Sequence, residues 1–204
     1  KKLVAYSSVS HMGYVVIGLF SLNAIGATGS IYQMLSHGIS TPALFLLVGM
    51  LYERRHTKEI KEYGGITKVM PLFAIAFMIA TLSSVALPGT NGFVGEFLIL
   101  LGTWKANPGL AVIATTGVIF GAVYMLWMFQ RVMFGPITKD ENKKLKDLSP
   151  REIFVLAPLM VAIVVMGVMP NFFFSKMENS VTKLLERTGK IEMVALVGAR
   201  KVGN

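Results

Sequence analysis

Long apolar runs, separated by short polar or basic stretches, divide this chain into five segments at about 3–22, 30–52, 71–103, 110–134 and 153–173. A helix needs about 20 residues to cross roughly 30 Å of hydrocarbon. Four of the segments have that length. The third is too long for one straight crossing and too short for two. It reads MPLFAIAFMIATLSSVALPGTNGFVGEFLILLGT from Met70 to Thr103, and Pro88, Gly89 and Gly92 interrupt it. Proline removes a helix donor and glycine weakens helix continuity, so the segment is expected to cross once as two half-helices. These lie at about 71–87 and 93–103, joined by PGTNG near 88–92. The predicted fold class is all-α: a polytopic transmembrane helix bundle of about five spans, the third a broken helix, forming one domain over residues 1–174. Residues 175–204 are expected to be an interfacial or disordered tail. Within it, 179–190 sets Val181, Leu184 and Leu185 at helical spacing, while 191–204 shows no pattern.

Composition agrees with a membrane. Charged residues make up 15% of the chain, against about a quarter in a soluble domain. Cysteine is absent, which removes disulfides, thiolate metal sites and thiol nucleophiles. A net charge of +9 could by itself indicate nucleic acid, but the basic residues sit between the apolar segments. With five crossings, Lys1, Lys2, Arg54, Arg55, Lys58, Lys61, Lys68, Arg131, Lys139, Lys143, Lys144, Lys146 and Arg151 share one side. The connections on the other side carry little charge, with Lys105 alone in KANPG. By the positive-inside rule the basic side faces the cytoplasm or its organellar equivalent, and the bacterial inner membrane is the expected location. These cations are therefore expected to set topology and anchor the chain at the lipid interface, with no nucleic-acid partner. The chain opens on Lys1 with no signal-peptide layout and is expected to be part of a longer membrane protein.

Candidate chemistry lies inside the spans. Glu96 is the only charged side chain between Met70 and Thr103. A carboxylate at the bilayer centre costs about 2.5–3.5 kcal/mol even on permissive insertion scales, so it tends to serve a function. An acid on a broken helix is how transporters build ion sites. Gln33, His37 and Thr41 fall at i, i+4 and i+8 and share one helix face, with Pro42 just beyond. Histidine exchanges protons near neutral pH, so His37, and His11 in AYSSVSHMGY, are candidate proton carriers. Gln33 and Thr41 would support the pathway. The alternatives are a structural carboxylate paired with a cation of a partner chain, and neutral histidines bonded to neighbouring helices. His56, in the charged loop YERRHTKE, reads as solvated. GTNGFVG ends without Lys-Ser/Thr and follows no strand, so it is not a phosphate loop. No catalytic triad, haem pair or metal-ligand set can be assembled.

Three stretches together resemble a known family: KKLVAYSSVSHMGYVVIG, IYQMLSHGISTPALFLLVGMLYERRHT and LPGTNGFVGEFLILLG, in that order. They look like the second half of the M-type (chain 4) antiporter-like membrane subunits of respiratory complex I, the proton-pumping NADH–quinone oxidoreductase. The resemblance runs from Lys1 to about Phe173. It implies half of an inverted-repeat fold, with Glu96 as the essential ionisable residue of the broken helix. His11 matches the family's SHMG histidine, His37 its H-G-[ILV]-S histidine and Pro88 its helix-break proline. Relatives usually carry a lysine where Glu96 stands. The implied function is proton translocation coupled to electron transfer in other subunits. This chain would hold no cofactor and no catalytic redox centre of its own. NADH, FMN, iron–sulfur clusters and quinone are expected in partner subunits. Other membrane subunits, the lipid bilayer and protons are the implied partners. Complete members are much longer, and the first repeat, with its own glutamate and lysine, has no counterpart here. The competing expectation is a subunit of a cation/proton antiporter or of a membrane-bound hydrogenase complex.

Overall fold

The computed structural model describes residues 1–187, so the stretch 191–204 lies outside the described residues. The α-helices are α1 (Lys2–Phe20), α2 (Ala24–Arg55), α3 (Pro71–Ser84), α4 (Asn91–Ala106), α5 (Pro108–Met133), α6 (Asp140–Lys143), α7 (Pro150–Val168) and α8 (Asn171–Arg187). Of these, α1, α2, α5 and α7 are long and apolar enough to cross a membrane. The 14 residues of α3 rise only about 21 Å, short of the hydrocarbon thickness. Helices α3 and α4 therefore make one passage between them. At one end, Leu72 and Phe73 donate their backbone N–H groups to Asp147 in the basic loop before α7. At the other, Asn23 at the start of α2 donates to the Gly102 carbonyl. The chain is an all-α, multi-pass membrane protein.

Several boundaries differ from the sequence expectation, each for a local reason. Helix α2 begins at Ala24 rather than near residue 30, because the Asn23 side chain caps it by accepting from Gly26 N at 2.9 Å. It then runs through Pro42 to Arg55 without a break. The KANPG connection shrinks to Asn107 alone, which caps α5 by accepting from Leu110 N at 3.1 Å. Helix α7 starts at Pro150 behind a Ser149–Glu152 capping box and stops at Val168, short of residue 173. Phe172 and Phe173 instead open α8. The described part of the tail is neither disordered nor detached. Val181 and Leu185 of α8 pack on Ala24, Ala27 and Ile31 of α2, and Phe173 and Phe174 meet the Tyr32 ring.

Small residues let the central helices approach closely. A Cβ on Gly102 of α4 would lie 2.4 Å from the backbone nitrogen of Gly26 in α2, and one on Gly95 would lie 2.3 Å from Gln33. These contacts set α4 directly against the polar face of α2, which is what brings the buried acid to the histidines.

Arg54, expected to set topology and anchor the chain at the interface, also ties two helices together. Its guanidinium bonds both Glu152 oxygens at 2.7 Å and also reaches the carbonyls of Lys146 and Asp147. It thus ties the end of α2 to the start of α7. Charge-assisted, two-pronged pairing of this kind favours arginine over lysine. Arg54→Ala is expected to destabilise the protein by roughly 1–3 kcal/mol, with Arg54→Lys recovering only part, read by thermal unfolding of the detergent-solubilised protein. Equal melting temperatures for all three proteins would show the tie to be dispensable.

Candidate functional site

The site is built around the gap between α3 and α4. Helix α3 closes with Ala86 in the left-handed region (φ 56) and Leu87 N donating to Leu82 O at 3.0 Å, a Schellman closure. A tight turn follows, with Thr90 N donating to Leu87 O at 3.0 Å. Pro88 and Gly89 hold its two central places, and Gly89 has φ 93, as a type II turn requires. Helix α4 restarts at Asn91. Gly92 lets the two half-helices touch, since a Cβ there would lie 2.1 Å from the Ser83 carbonyl oxygen. Pro88, Gly89 and Gly92 shape the break, while Pro88 and Gly89 remain exposed and line neither polar cavity of the site.

Irregular backbone at membrane depth must find its hydrogen bonds inside the protein. The turn's own backbone bonds do this, and a fully buried Asn91 beside it ties the neighbouring helices together. Its amide nitrogen donates to the Ser36 carbonyl and the Ser40 hydroxyl, both at 3.2 Å, and its oxygen accepts from Ser83 at 2.5 Å. One side chain thereby links α2, α3 and α4. Sequence reasoning missed this cluster, because serine and asparagine in a membrane segment also read as packing residues. The available signal was that Asn91 sits directly beside a helix break.

Glu96 lies just over one turn into α4 and is 4% exposed. Its Oε1 is 2.7 Å from Nδ1 of the buried His11 and accepts from Gln33 Nε2 at 3.3 Å. Among the described residues it pairs with no lysine or arginine. The other ring nitrogen of His11 is 3.4 Å from the Ser84 hydroxyl. The His37 ring stands 5.6 Å from that of His11, centroid to centroid, and its hydrogen-bond partners are Ser8 and Thr41 rather than Glu96. His37 Nε2 contacts the Ser8 hydroxyl at 2.7 Å, and its Nδ1 is 3.1 Å from Thr41 Oγ1. The structure therefore brings together all five polar residues singled out in the sequence, in the spatial order Thr41, His37, His11, Glu96, with Gln33 beside the acid.

Two small cavities flank this row, each with room for about one water. One is lined by Gln33, Ser36, His37, Ser40 and Thr41, the other by Ser10, Tyr14, Glu96 and Tyr124, and His11 borders both. The His11–Glu96 contact has two forms, imidazolium with carboxylate or neutral imidazole with carboxylic acid. They differ only in which end of a 2.7 Å contact holds the proton. Such a pair, kept from bulk water, can accept and pass on one proton with little movement of heavy atoms.

Comparison with known proteins adds the family. Residues 1–122 match the family described as NADH:quinone oxidoreductase/Mrp antiporter, TM. The chain belongs to this family. The NADH-quinone oxidoreductase subunit M of Rickettsia prowazekii is 54% identical over 185 residues, covering 91% of this chain and 38% of the relative. A chain of respiratory complex I from Thermus thermophilus with bound NADH superposes with a TM-score of 0.83 at 39% identity, over 92% of this chain and 39% of that one. A chain of the Mrp complex from Dietzia sp. DQ12-45-1b superposes with a TM-score of 0.77 at 21% identity, over 91% of this chain and 42% of that one, and shares the fold. This chain spans about 38% of the length of the curated relatives it matches.

Proposed function

We propose that this chain carries a terminal proton-transfer segment of a proton-translocating subunit of NADH:quinone oxidoreductase. The carrying observation is the buried Glu96, 2.7 Å from His11, with His37 next in the row. A proton arriving at His37 passes through the water-sized cavity to His11 and then to Glu96, and leaves toward the face opposite the basic loops. Chain identity favours this reading over a cation/proton antiporter, whose similarity here is one of fold. The other membrane subunits of the same complex are the partners, and the basic face lies toward the cytoplasm of a bacterial inner membrane. NADH, FMN, iron–sulfur clusters and quinone are bound in partner subunits, and this chain supplies no redox centre. Electron transfer there acts on the row through the electric field of neighbouring ionisable groups. Inside a low-dielectric interior, a charge arriving within several ångströms changes proton affinities strongly.

The two histidines have different standing. His11 touches the acid, whereas His37 reaches it only across the cavity. In the complete enzyme in proteoliposomes, His11→Ala is expected to lower NADH-driven proton uptake more than His37→Ala does. Normal uptake with both replaced would sink the relay.

A further inference from the structure

The row of carriers describes how a proton reaches Glu96, but not what stops it from leaking straight through. The second cavity, on the side of Glu96 away from His37, supplies a candidate. It lies between α1 and α5, and Tyr14 is among its lining residues. The Tyr14 hydroxyl donates to the Ala114 carbonyl of α5 at 2.5 Å, and the side chain is buried. The same ring also joins an apolar cluster. Tyr14 packs there with Ile99 and Ala114, backed by Ile17, Leu100 and Val118. Ala114 stands six residues into α5 and Ile99 seven residues before the end of α4. At 1.5 Å per residue, this apolar layer lies about 10 Å from the face opposite the basic loops. Polar groups thus run from Thr41 to Glu96, and the apolar layer of Tyr14, Ile99 and Ala114 stands between Glu96 and that face. Water avoids apolar cavities, and apolar constrictions gate pores by staying dry.

We propose that Tyr14 is a latch on the release side of Glu96. While its hydroxyl is held by Ala114, the phenol closes the apolar layer and no water chain connects the acid to the outer face. When that bond opens, the ring can swing and water can enter the layer. The carboxyl of Glu96 then gives its proton to cavity water and remains as carboxylate. Gly117 supports the assignment. A Cβ at Gly117 would lie 2.6 Å from the Tyr14 hydroxyl oxygen, so the lack of a side chain there is what lets the hydroxyl reach α5. The inference rests on Glu96 being the proton carrier proposed above.

Two variants open the latch by different routes. Tyr14→Phe removes the hydroxyl. Gly117→Ala keeps it but pushes it off the carbonyl. In the complete enzyme reconstituted into proteoliposomes, both are expected to raise passive proton conductance several-fold. NADH oxidation, carried out by other subunits, continues but responds less to uncoupler. The leak is expected to vanish when Glu96→Gln is added to either variant, a dependence that mere loosening of the bundle would not produce. Gly117→Ala, with its phenol intact, also serves if Tyr14→Phe does not assemble. Unchanged conductance in the assembled variants would overturn the latch, as would a leak that survives Glu96→Gln. If Glu96→Gln alone pumps normally, the failure belongs to the proposed function instead.

Discussion

Glu96→Gln, introduced into the complete enzyme, is expected to reduce proton translocation and the electron transfer coupled to it on the order of tenfold or more, since positioned proton transfer is commonly worth that much. Glutamine has nearly the same shape as glutamate, so the close packing of α4 on α2 survives. Its carbonyl oxygen can still accept from His11 or Gln33. What is lost is the ability to exchange a proton across the 2.7 Å contact with His11. Glu96→Asp keeps the acid but draws it back from the imidazole by about one bond length, and partial activity is expected, in keeping with the sensitivity of proton transfer to distance. The checking measurements are NADH-driven acidification and uncoupler-sensitive NADH oxidation in proteoliposomes. A Glu96→Gln enzyme with normal coupled turnover would leave the acid as a packing element.

The largest structural effect is expected at Gly92. A methyl group there would lie 2.1 Å from the Ser83 carbonyl oxygen, a backbone atom that cannot rotate out of the way. Relief requires parting α3 from α4, which also pulls Ser83 from Asn91. Overpacking alone typically costs about 1–3 kcal/mol, and each buried polar group left without a partner adds about 1–3 more. Gly92→Ala is therefore expected to lower the amount of assembled protein in the membrane sharply. Gly49→Ala serves as the control, because a Cβ at Gly49 meets nothing within 4 Å and alanine is the better helix former. Comparable loss in both would mean that any glycine substitution in this bundle is harmful and that the helix break has no special claim.

Much of the fold was legible because membrane helices announce themselves by length. The residues of α1, α2, α5 and α7 are apolar over whole turns, and Pro88-Gly89 marks the one place where the long third segment must break. Boundaries were less legible because they depend on single side chains. Asn23 extends α2 by several residues and Asn107 removes a loop, and neither effect follows from hydropathy. The seating of α8 was hidden for another reason: Val181 and Leu185 gain a partner only once α2 is beside them. Within the site, Glu96, His11 and His37 stood out because a titratable group in an apolar run is costly. Their order did not, since spacing along two helices says nothing about which histidine faces the acid across α4. The serines around Asn91, and Tyr14 in the apolar layer, carry no cost signal in a sequence. Their partners lie on other helices, at separations of up to 100 residues.

The proposed relay requires Glu96 to take up and give away a proton during turnover. Infrared difference spectroscopy of the complete enzyme, comparing resting with NADH-driven states, observes this directly through the C=O stretch of a protonated carboxylic acid. The predicted result is a carboxylic-acid band that appears or disappears between the two states and is missing from the Glu96→Gln enzyme. An identical difference spectrum in the two enzymes would mean that this carboxyl keeps one charge state throughout, and the relay through His37 and His11 would have no acceptor.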